Sequence, residues 1–96
     1  MVESVIAGDS AEWMLRTAER FQCAPADAAA KAFLRINGGL TKLAAERKDG
    51  LILIRLMPAV SETLQPGEAV LIVRLETAGG EYRRSEVIGK LLVKPS

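Results

Sequence analysis

Two short runs, LILIRLM at residues 51–57 and AVLIVRL at residues 69–75, limit what this chain can fold into more than any other feature. Both are rich in leucine and β-branched residues, both are bounded by turn-forming residues, and both are too short for comfortable helices, so they are expected to be strands. Within each run both alternating faces are apolar until one arginine, Arg55 in the first and Arg74 in the second. A sheet with two apolar faces has to be covered on both sides, by helices and by another layer or a twin subunit.

The downstream turns fit a sheet. Pro66-Gly67 has type II turn composition, and Gly79-Gly80 fits a two-residue hairpin loop that returns the chain into EYRRSEVI, residues 81–88. A last short strand is expected around KLLVKP, residues 90–95.

The first half reads as helical. Asp9 followed by Glu12 is a capping-box arrangement, with Ser10 as the alternative cap, and Ala11, Met14, Leu15, Ala18 and Phe21 recur at helical steps up to about Arg20. Trp13 points away from that stripe and so is expected either to pack on the sheet of the same chain or to be buried against a partner. Pro25 ends a connector and starts the next helix. In that helix Ala29, Phe33, Ile36, Leu40 and Leu43 keep helical phase across Gly38 and Gly39, which predicts one continuous helix ending near Lys48 at Asp49-Gly50. Asn37-Gly38, itself a frequent terminator, is the alternative end. The two glycines would then permit a close crossing by another backbone, so Trp13, Gly38 and Gly39 are the expected protein-interface residues.

The chain has no histidine and one cysteine, Cys23, which removes the commonest general base and leaves no thiol cluster for metal. Glu76, Glu81 and Glu86 alternate with Arg83 and Arg84 and read as a solvated sheet face rather than a catalytic pair. Neither glycine pair has the spacing of a phosphate loop. No enzyme activity, cofactor or metal is expected. With 13 Lys+Arg against 12 Asp+Glu the charge excludes a strong global field for nucleic acid or membrane. Lys31, Arg35 and Lys42 lie along one side of the expected second helix. Arg74, Arg83 and Arg84, near the Gly79-Gly80 hairpin, are the residues where nucleic acid would bind if any does. No apolar run reaches the roughly 18 residues of a membrane span, so a cytoplasmic protein is expected.

A short strand ESVIA, a helix SAEWMLRTAER and a long helix ADAAAKAFLRINGGLTKLAAERKDG resemble the layout of the ribbon-helix-helix regulators, over residues 3–50 only. The resemblance implies an intertwined dimer in which Glu3 and Val5, or Ser4 and Ile6, face the major groove, and Ala26, Asp27 and Ala28 approach phosphate. Base edges are usually addressed by Arg, Lys, Asn or Gln, so the resemblance implies the dimeric core more strongly than an operator. The expectation is one α+β domain over residues 1–96. A helical half, 1–49, holds a short N-terminal strand and two helices; a strand half, 50–96, holds a three- to four-stranded antiparallel sheet. Functionally it is expected to be a homodimeric protein-interaction or regulatory module, with a ribbon-helix-helix-like DNA-binding regulator as the alternative.

Overall fold

The dipeptides Asn37-Gly38 and Asp49-Gly50 both reverse the chain in two residues. Asn37 and Gly38 have φ of 51° and 79°, and Asp49 and Gly50 have 52° and 78°. Positive φ at both central positions is the signature of the type I′ turn, whose twist matches that of the strands it joins. Ile36 accordingly faces Gly39, and Lys48 faces Leu51.

The computed structural model describes residues 2–96. In chain order the elements are β1 (Val2–Ile6), β2 (Ala11–Arg16), a single turn of helix α1 (Thr17–Arg20), β3 (Ala29–Ile36), β4 (Gly39–Lys48), β5 (Leu51–Leu56), a second single turn α2 (Pro58–Ser61), β6 (Gly67–Glu76) and β7 (Arg83–Lys94). The strands form one sheet in the order β1-β7-β6-β3-β4-β5-β2, antiparallel throughout except for the parallel pair β1–β7. β4 pairs with β3 through Gly39–Leu43 and with β5 through Ala44–Lys48, so one continuous sheet curls around the core.

The expected α+β arrangement is therefore overturned. The strands expected at 3–7, 51–57 and 69–75 are present as β1, β5 and β6, but β2, β3 and β4 stand where the two helices were expected, leaving of the first only the single turn Thr17–Arg20. Asp9 and Ser10 cap no helix, because β2 follows them directly. The ribbon-helix-helix layout lacks both of its helices among the described residues, since β2, β3 and β4 occupy that part of the chain. The Gly79-Gly80 pair sits inside a longer loop, closed where the Thr77 N–H donates to the Tyr82 carbonyl at 3.0 Å. The strands expected around 81–88 and 90–95 are one strand, β7, with an irregularity where Leu71 and Ile72 face Gly89 and Val87 and Ile88 is left over.

The reason is partnership. β6 bonds to β3 on one side and β7 on the other, and β5 bonds to β4 and β2. Each apolar run thus obtains neighbours from the segments whose local pattern favoured helix, and non-local pairing outweighs local propensity. Inward positions follow a strict period of two: Ala32, Leu34 and Ile36 on β3, Ile52, Ile54 and Leu56 on β5, Ala69, Leu71, Val73 and Leu75 on β6, all buried. Phe21, just after α1, and Leu64, after α2, close the ends of this core. Two polar ties fix the connections. Arg47 on β4 donates from Nη1 to the carbonyls of Pro25 and Ala28, at 2.7 and 2.8 Å, and so holds the β2–β3 connection. Ser61 is fully buried and its Oγ accepts the Gly8 N–H at 3.0 Å, which locks the β1–β2 turn onto α2. Among the described residues no helix is long and apolar enough to cross a membrane.

Candidate interaction surfaces

The outward positions of β3, β4, β6 and β7 make the most distinctive surface. Phe33 faces Ile72 on β6 and Lys42 on β4; Ile72 in turn faces Val87, and Arg35 faces Leu40. Leu40 and Val87 keep 63% and 58% of their area exposed, far from the burial that leucine and valine usually find. Cations surround this apolar centre. The Arg74 guanidinium lies over the Phe33 ring, 5.2 Å from its centroid, and Arg74 Nε donates to Ser85 Oγ at 3.1 Å. Lys31, Arg35 and Lys42 do lie on one side, as the sequence indicated, but by strand alternation rather than helical repeat. Glu76, one of the acids on this face, is taken up by Lys31 at 3.4 Å and Arg83 at 3.2 Å.

The three arginines expected to share a surface do not all do so. Arg74 and Arg83 project from the outer face. Arg84 faces Leu75, an inward position, and so lies on the opposite side of β7, where it pairs with Glu86 at 3.4 Å. The three glutamates are likewise divided: Glu76 is on the outer face, Glu86 on the other, and Glu81 in the loop, where its carboxylate accepts the Thr77 hydroxyl at 3.0 Å. A bond from its own backbone N–H, reinforced by that hydroxyl, holds the Glu81 carboxyl below the usual range. No shared carboxylate site results.

A second surface lies where the folded sheet fails to close. β1 and β2 are its two ends, and they flank a cleft of 460 Å³ lined by Glu3, Trp13, Leu15, Ile88 and Lys90 among others. Trp13 bridges the gap, its Nε1–H donating to Glu3 Oε2 at 2.6 Å. Trp13 is half-buried and packs against the core of its own chain. On the outward side of the same strand, Met14 is 65% exposed and faces Leu53 on β5. Glu12, also outward, makes a loose pair with Arg55 at 3.4 Å.

Gly38 and Gly39 need no crossing backbone to explain them. Gly38 serves the positive φ of its turn and has open space where a side chain would begin, while Gly39 begins β4 with the Ile36 carbonyl oxygen 3.8 Å from that position. The outer-face cluster around Phe33 went unseen in the sequence because helical spacing divided its members among several faces. A period-two reading of KAFLRI, with Lys31, Phe33 and Arg35 on one side, carries the signal.

In architecture this is a single seven-stranded, nearly closed β-sheet with two uncovered surfaces. No family model matches the chain, and no curated protein matches its sequence. Among solved structures it is similar to one described as a "putative glycoside hydrolase" from Bacteroides vulgatus ATCC 8482, with 17% identity and a TM-score of 0.60. The match covers 98% of this chain and 16% of that one, so the chain spans about a sixth of the length of that protein. The likeness is one of fold.

Proposed function

We propose that this chain is a non-enzymatic protein-interaction module that self-associates. One observation carries the reading: a sheet face carries the exposed Leu40 and Val87 beside the half-buried Phe33 and Ile72, with cations around them. Aliphatic and aromatic area with a charged rim is the composition of a protein-docking surface.

The same cations support a second reading, in which the face binds nucleic acid, with Arg74 and Arg83 among its contacts. Phosphate would use the cations, and a base could stack on Phe33. It would leave Leu40, Ile72 and Val87 without apolar partners, and for that reason the protein reading is preferred. Titration of labelled single-stranded and duplex oligonucleotides at about 50 mM salt separates the two. The protein reading expects no saturable binding. Tight binding that falls steeply with salt and is lost in Arg35→Glu would overturn it in favour of nucleic acid.

A further inference from the structure

We infer that two copies join edge to edge through β2, in antiparallel register centred on Met14; this rests on the self-associating reading above. β2 ends the sheet, so among the described residues no strand is hydrogen-bonded along its other side; β1 stands across the cleft there, tied to β2 through the Trp13–Glu3 bond, which a second copy pairing at this edge displaces. Its register with β5 is unbroken, and the strand contains no proline and no bulge, two of the devices that usually guard an edge.

The backbone phase is set by one bond. Thr17 N–H donates to the Gly50 carbonyl at 2.9 Å, directly continuing the β2–β5 register. In an antiparallel ladder hydrogen-bonded pairs alternate with non-bonded ones, so Leu15, Trp13 and Ala11 share the bonding phase of Thr17. The N–H and C=O groups of Glu12, Met14 and Arg16 therefore point away from β5, toward the open edge.

A two-fold axis at Met14 uses those groups. Met14 faces Met14 of the other copy, and Glu12 faces Arg16 twice, each facing pair exchanging two backbone hydrogen bonds. The side chains agree with the backbone. Glu12 and Arg16 meet as opposite charges on the outer face, and Arg16 has no ion pair among the described residues of its own chain. On the inner side Trp13 faces Leu15, both of which line the open cleft. Moving the axis by one residue along the strand, to Trp13 or Leu15, sets Glu12 or Arg16 against Met14 and loses the match. Such a self-complementary patch is what a two-fold dimer requires.

Reciprocal charge reversal tests the register. Glu12→Arg places two arginines at each facing position, and Arg16→Glu places two glutamates there. Each variant alone is expected to sediment as a monomer at concentrations where the native chain is a dimer. An equimolar mixture is expected to recover the dimer mass, because both facing pairs become complementary. Met14→Pro is the backbone test: its lost N–H points away from β5, so the native fold and circular dichroism are kept while the dimer is lost. Dimers that persist in either charge variant, or a mixture that stays monomeric, overturn the β2 edge while leaving self-association standing. A native chain that is monomeric throughout overturns both.

Discussion

Replacing Gly38 and Gly39 one at a time by alanine gives results of opposite sign. Gly38 holds φ at 79° in the second central position of its turn, where a Cβ crowds the following carbonyl. Left-handed geometry costs an alanine about 1–2 kcal/mol. Gly39 has no positive φ and its nearest neighbour to a new Cβ is at 3.8 Å, so Gly39→Ala meets nothing and removes the excess freedom of a glycine in a strand. That change contributes about 0.5–1 kcal/mol of stability. For a domain of this size each kcal/mol moves the midpoint by roughly 4–8 °C, so Gly38→Ala should lower Tm by about 4 °C or more and Gly39→Ala should raise it by a few degrees. Thermal unfolding followed at 218 nm or so, where strand signal dominates, reads both. A helix through this segment would gain about 1 kcal/mol from either substitution. Two increases in Tm would therefore refute the hairpin.

Two further substitutions probe how the connections are held. Arg47→Met keeps the methylene packing but removes both bonds to the Pro25 and Ala28 carbonyls, and should lower unfolding free energy by about 2 kcal/mol in urea titration; no change would mean the connection is held by packing alone. The Glu81 carboxyl, whose folded pKa is lowered by its own backbone N–H and the Thr77 hydroxyl, adds stability above the ordinary carboxylate value and loses it as pH falls through the lowered one. An NMR titration should place its midpoint below that of glutamate in a short peptide, and Thr77→Val should move it upward.

What was legible in the sequence was whatever a strand declares locally. LILIRL and AVLIVRL are apolar on both faces over a length no helix prefers, and they became β5 and β6 at nearly the expected bounds. The first half misled because its composition, alanine-rich with apolar residues three and four apart, satisfies a helix equally well. Phe33, Ile36, Leu40 and Leu43 fall on a helical stripe, yet in the folded sheet Ile36 and Leu43 face inward while Phe33 and Leu40 face out. The contrary signal was present in Asn37-Gly38 and Asp49-Gly50, two dipeptides suited to type I′ turns and spaced by one strand length. In β2 the off-stripe tryptophan was the alternation itself: Ala11, Trp13 and Leu15 lie on one face, Glu12, Met14 and Arg16 on the other. Surface chemistry inherits this dependence. Arg74 and Arg83 share a face only because Arg83 is opposite Glu76 across a hairpin, and the same register sends Arg84 to the other side.

Sedimentation equilibrium of the native chain, from about 1 to 100 μM, bears most directly on the central proposal that uncovered sheet surfaces make this a self-associating module. The account predicts a mass that rises from one chain toward two across that range, reversibly on dilution. A mass of one chain at every concentration would contradict it.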